Sequence, residues 1–294
     1  MESRQRIMRN WINGAMATCG FELKRSFTFQ RTAVSIVLAL FPPLMVGLMI
    51  GATQVANAAI QTDQEIQERA VHHAIETIQI VQGFAPFAIV FLVSLVCLLS
   101  LLLWATPNVY SELEGKSWAF IASRPGGRVS IYLGKFLLSV IVSFAISLVA
   151  LSLSVLVAHQ LLTLPDPQRL WLSLTGIYLL ACLVYGAIFS MLGTLFYKRA
   201  MVVAAGYLIG SEVFLATIPA VIGKLTMRFH LQELGIRWIG FFLPFDSERE
   251  YALLYGPQWP TWANLLVLIG TGCATLLIGG LVIVNRQYIT SDES

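Results

Sequence analysis

Apolar residues recur along this chain in long blocks, with polar and charged residues gathered between them. Six blocks stand out, at about residues 33–51, 84–106, 131–158, 170–196, 201–222 and 263–284. Roughly 20 apolar residues cross the hydrocarbon core of a bilayer as a helix. A helix also satisfies its own backbone hydrogen bonds where water is absent. The pattern therefore predicts an all-α membrane protein with six transmembrane helices. Pro42-Pro43 is expected to kink or unwind the first span, and Pro86 lies near the start of the second. No gap is long enough for a soluble domain, so residues 1–294 are expected to form a single transmembrane domain.

The flanks add detail. Residues 5–27 place Ile7, Trp11, Ile12, Met16, Leu23 and Phe27 at roughly helical spacing, with Arg and Lys between them. This predicts an amphipathic helix in the membrane interface before span one; a frayed basic tail is the alternative. The basic stretch leads into a full-length span with no small-residue cleavage site, so a cleaved signal peptide is not expected. Residues 52–82 lack proline and are rich in Ala, Gln and Glu, which suits helical extensions of spans one and two. Residues 223–262 carry Trp238, Phe241, Phe242, Phe245, Trp259 and Trp262. Aromatics at that density predict interfacial or re-entrant helices between spans five and six.

Composition agrees with the blocks. Only 12% of the 294 residues are charged and 57% are hydrophobic, with mean hydropathy +0.74, whereas a soluble domain carries about 25% charged residues. The distribution of charge sets orientation. With the N-terminus inside, thirteen of the 19 Lys and Arg residues fall on the inner side and six on the outer. The positive-inside bias then puts both termini in the cytoplasm, with the protein in the plasma or inner membrane. Cys19, Cys97, Cys182 and Cys273 have no metal-ligand spacing and read as small core hydrophobes.

Several chemistries are tested by spacing. Gly115-Lys116-Ser117 matches the end of a phosphate-binding loop, but the position five before Gly115 is Tyr110 and the preceding segment is a span. A Walker A loop needs an earlier glycine between a strand and a helix, so no nucleotide site is expected. The histidines, His72, His73, His159 and His230, form no HExxH pair, and no GxSxG elbow occurs. No catalytic residue, metal site or cofactor site is therefore expected on this chain.

Glu212 is an acid in the middle of the fifth block. A carboxylate at the bilayer centre costs on the order of 2.5–3.5 kcal/mol, so it must face a cavity, find a partner or be protonated. Two readings stand: a group lining a pathway, or a buried acid hydrogen-bonded by Ser211 or a neighbouring helix. Gly206 and Gly210 form GxxxG in the same block, a flat face suited to a homodimer seam or to internal packing. Small residues in the last block (Gly270, Gly272, Gly279, Gly280) offer a similar surface.

The stretch YSELEGKSWAFIASRPGGRVSIYLGK, residues 110–135, joins spans two and three. It sets Val109, Leu113, Trp118 and Ile121 in a helical register against Glu112, Glu114 and Lys116, then stops at Pro125-Gly126-Gly127. A short amphipathic helix with acids near its start suits a docked partner and the helix dipole.

Glu112, Glu114, Gly115, Pro125, Arg128, Gly134 and Lys135, in that order and spacing, resemble the corresponding loop of ABC-2 family transporter permeases. The chain departs from that pattern at Lys116, where a small hydroxyl residue is usual. The order of elements along the whole chain is similar too. The resemblance implies the membrane-spanning subunit of a type V-like ABC exporter, working as a homodimer or as a heterodimer with a similar chain. A separate cytoplasmic ATPase would hold ATP and Mg and would dock on coupling helices. Glu112, Glu114, Trp118 and Arg128 would be the docking residues, and Gly206, Gly210 and Glu212 would line the pathway or seam. The lipid bilayer is an expected partner and nucleic acid is not. An ion-coupled secondary transporter and a membrane-integral enzyme are the rival expectations.

Overall fold

Helices make up all the regular structure among the described residues, as the apolar blocks require. The computed structural model describes residues 14, 16–23, 28–60, 88–107, 109–114, 118, 126–162, 166–215, 223–239 and 259–286. Nine α-helices follow in chain order within them: α1 (16–23), α2 (Phe29–Ile60), α3 (88–105), α4 (Tyr110–Glu114), α5 (Gly127–Leu161), α6 (Pro167–Leu195), α7 (Ala200–Tyr207), α8 (Met227–Ile239) and α9 (Thr261–Asn285). Five stretches are long and apolar enough to cross a membrane: Phe29–Val55, Ala88–Leu113, Gly127–Leu161, Pro167–Leu195 and Thr261–Asn285. The chain is a multi-pass membrane protein.

The expected fifth span differs. Its apolar helix, Ala200–Glu212, is shorter than the other five. Past Tyr207 it widens into a π-helical stretch over Leu208–Leu215, and the remainder of the expected span, 216–222, lies outside the described residues. A π-turn opens the backbone ladder, and here it does so around Glu212.

The first span keeps its prolines inside one helix. α2 runs through Pro42 and Pro43 without unwinding, and both prolines are buried. Each proline removes one N–H and crowds one carbonyl; inside a bundle, neighbouring helices compensate for those losses. α2 also continues to Ile60, in line with the expected extension of span one. Residues 61–87 lie outside the described residues, as do Ile7, Trp11, Ile12 and Phe27 of the expected amphipathic helix. Its described part, α1, exposes Met16, Phe21 and Leu23 and tucks Cys19 against Trp104, Leu138 and Val142.

Local chemistry starts the two longest inner helices. α5 begins after Gly126, whose φ of 76° and ψ of −1° lie in the left-handed region that glycine enters without strain. Its 35 residues span about 52 Å, well beyond the ~30 Å hydrocarbon core. α6 opens with Pro167 just inside its start, where the missing N–H costs nothing.

α6 is the hub of the bundle. It packs on α5, α7, α8 and α9, and 61% of its most apolar window is buried, against 28% for α2 and 22% for α9. Those outer helices present continuous apolar faces, Val34, Val37, Leu40, Leu44 and Leu48 on α2 and Leu266, Ile269, Leu277 and Leu281 on α9. Surfaces of this kind suit lipid as solvent. Small residues set the closest approaches: a Cβ at Gly193 of α6 would lie 2.6 Å from the Thr106 carbonyl oxygen. Of the four cysteines expected in the core, Cys97 and Cys182 are buried there with their sulfurs 3.4 Å apart between α3 and α6, whereas Cys19 is half-buried and Cys273 is exposed.

Candidate functional site

The motif residues of the 107–135 stretch converge at the N-terminal end of α5. α4 folds directly after the span, with the Ser111 N–H donating to the Pro107 carbonyl at 3.0 Å. Lys135, two turns into α5, sends its ammonium to Glu112 Oε1 at 2.6 Å and to Ser111 Oγ at 2.7 Å. Glu112 and Lys135 are 2% and 5% exposed, so the ion pair is buried. Burial makes such a pair expensive to break, because the survivor is left as an uncompensated charge.

Trp118 is also buried, in a cluster with Val109, Tyr132 and Ile283. The Arg128 guanidinium lies 6.0 Å from the centre of the Trp118 ring and donates to the Val284 carbonyl at 2.9 Å. Arg128 thereby binds a carbonyl in the last turn of α9, where a cation also complements the helix dipole. Three of the four expected docking residues thus tie α4, α5 and α9 together from within. Glu114 ends α4; its side chain lies outside the described residues, as do 115–117 and 119–125.

Glu212 has partners within the fold. Its Oε2 accepts the Arg228 backbone N–H at 3.1 Å, and its Oε1 accepts the Ser211 hydroxyl at 3.3 Å. The Arg228 guanidinium returns to the Glu212 carbonyl at 3.1 Å. Arg228 is the second residue of α8, where backbone N–H groups have no partner inside the helix. Thr226 Oγ1 takes the next one, from Phe229, at 3.3 Å. An acid and a hydroxyl therefore cap α8 together, and the acid also faces the helix dipole with the favourable sign. The phenols of Tyr185 and Tyr207 face the same carboxylate. Of the two sequence readings of Glu212, the hydrogen-bonded acid is the one this geometry displays. The structure ties the π-helical end of α7 to α8 through it.

A third polar cluster was not legible in the sequence. His230 Nδ1 and Asn264 Oδ1 are 2.7 Å apart, and Asn264 Nδ2 donates to Glu233 Oε2 at 2.9 Å. With Asn264 oriented that way, His230 must be the donor to its oxygen. Glu233 also accepts the Trp259 N–H at 3.2 Å, while Arg237 donates to the Trp259 carbonyl at 3.0 Å. All three polar side chains are nearly fully buried. The only local signal was His230 and Glu233 three positions apart, on one helical face, and a lone Asn264 at the head of the last apolar block. Among the described residues no three His, Cys, Asp or Glu side chains gather as a metal site.

The GxxxG pair behaves differently from the other close-packed glycines. A Cβ at Gly206 or Gly210 would meet nothing within 4 Å, whereas one at Gly279 would meet the Tyr132 ring at 2.8 Å. Gly206 and Gly210 are exposed beside Val202 and Ile209. Internal packing, one of the two sequence readings, does not use this face among the described residues.

No family model matches the chain, and no curated protein matches it. What the site can do therefore rests on its own geometry. Two short helices, α4 and α8, are each clamped to long apolar helices by buried polar bonds.

Proposed function

We propose that this chain is the permease subunit of an ATP-driven ABC-2 type exporter. The observation that supports it best is the Glu112–Lys135 ion pair. It joins an acid near the start of the motif to the lysine at its end, 23 positions later. A cytoplasmic ATPase gripping α4 would then pull directly on α5, which is the coupling an exporter needs. On this reading α7 and its π-helical continuation complete a sixth crossing with residues 216–222. Both termini lie in the cytoplasm of the plasma or inner membrane, and α1 belongs to an interfacial helix. ATP and Mg sit on the partner subunit, so this chain hydrolyses nothing itself. Glu114, at the end of α4, is the docking acid best placed for substitution, since Glu112 is committed to Lys135.

The open face of Gly206 and Gly210 is the proposed seam with a second permease chain. Gly206→Leu with Gly210→Leu is expected to cut crosslinking between copies across the fifth span several-fold, with folding intact, because the side chains would enter open space. Unchanged crosslinking would remove the seam from this face. An ion-coupled carrier is the second reading. The observation in its favour is a buried carboxylate at a π-turn, a combination common at functional sites. Transport by the purified chain in vesicles without any ATPase would select it.

A further inference from the structure

Two buried acids sit where one helix hands over to the next. Glu212, in the π-helical turn that continues α7, is 3% exposed and receives the backbone N–H of Arg228, the second residue of α8. The Arg228 guanidinium closes that contact on the Glu212 carbonyl. Glu233, the seventh residue of α8, is 4% exposed and receives the Trp259 N–H and the Asn264 side-chain amide. The Arg237 guanidinium closes this second contact on the Trp259 carbonyl. Each junction is the same clasp. An acid takes a backbone N–H at the start of the next helix, and an arginine of α8 takes a backbone carbonyl.

The helices joined in this way depend on the clasps. α9 begins after Pro260, which has no side chain to cap it, and Trp259 and Asn264 flank that start. α8 has 13 residues, a length at which a helix owes its persistence to tertiary contacts. Its last turn rests on α6, where the Trp238 carbonyl accepts from Arg169 and Ser173 at 3.3 and 3.4 Å. Its first turn rests on Glu212. Glu233 lies less than two turns beyond Arg228, so a first turn that loosens displaces Glu233 as well. The Trp259 N–H and the Asn264 amide then lose their acceptor, a loss that is costly in a buried network.

We infer that α8 is a strap that makes the end of α7, α8 itself and the start of α9 one cooperative unit, with Glu212 and Glu233 as its two clasps. Displacing the π-helical turn at Glu212 loosens the start of α9, although the partners of Glu212 lie on α6, on α7 and its continuation, and on α8. The coupling runs both ways, because linkage between two sites is reciprocal. It is a property of the fold and holds with or without an ATPase at α4.

The test is hydrogen–deuterium exchange, read by mass spectrometry, on the full-length protein in detergent. Glu212→Leu removes the first clasp and is expected to speed amide exchange about fivefold in α8. Exchange at residues 263–268 of α9 should rise by a similar factor, with α5 unchanged. Arg237→Gln removes an exposed guanidinium from the second clasp. It should speed exchange about twofold, at residues 263–268 and at residues 227–232 alike. Faster exchange confined to α8 in Glu212→Leu would overturn the inference, because the two clasps would then act independently. Unchanged exchange in both helices would overturn it too. Should Glu212→Leu speed exchange throughout the protein, Arg237→Gln decides alone, and a response limited to α9 would count against the strap.

Discussion

Lys135→Met is expected to destabilise the protein by about 3–5 kcal/mol, the usual cost of stranding one partner of a buried ion pair. The stranded group would be Glu112, which is 2% exposed. Glu112→Leu alone should cost a similar amount by stranding the ammonium. The double substitution, Glu112→Leu with Lys135→Met, should recover most of the loss, because two apolar groups of similar volume satisfy the site. Thermal unfolding of the four proteins in one detergent gives the coupling energy as a double-mutant cycle. Single effects below about 1 kcal/mol that simply add, the behaviour of an exposed pair, would mean that the junction is wet and does not clamp α4 to α5. The same geometry makes Glu112→Lys a poor probe of docking. It would bury two ammonium groups against each other and would disturb folding before it disturbed a partner.

Glu212→Leu is expected to cost about 1 kcal/mol, because the partly buried Arg228 N–H would lose its acceptor. Glu212→Gln keeps an oxygen for that N–H and should retain most of the stability. On the proposed function, transport should follow stability in this pair, lost in the leucine variant and kept in the glutamine one, if the role of Glu212 is to anchor α8 to α7. A glutamine variant of wild-type thermal stability that no longer transports would show instead that the charge itself acts on the pathway.

The parts of the fold set by local physics were legible in the sequence. Block length announced the long helices α2, α3, α5, α6 and α9. Pro125-Gly126-Gly127 marked the stop before span three, and α5 begins at Gly127. Contacts between distant residues were not legible. Glu112 read as part of the polar side of a short helix, since helical periodicity records the face of a residue and says nothing about a charge 23 positions away. Trp118 read as the apolar side of a docking helix, and its actual neighbours, Tyr132 and Ile283, come from α5 and α9. The glycines show the same limit. GxxxG drew attention to Gly206 and Gly210, which face open space, while the tightest backbone approach falls at Gly193, where no motif stands.

Central to the proposed function is a separate ATPase that grips α4. Affinity purification of the tagged chain from its native membranes, followed by ATP hydrolysis on the eluate, tests this most directly. A cytoplasmic subunit with its own nucleotide site is expected to co-purify and hydrolyse ATP, and Glu114→Lys should sharply reduce its recovery while the permease stays folded. A chain that elutes without an ATPase, and that moves substrate across vesicles in the absence of ATP, would contradict the proposal.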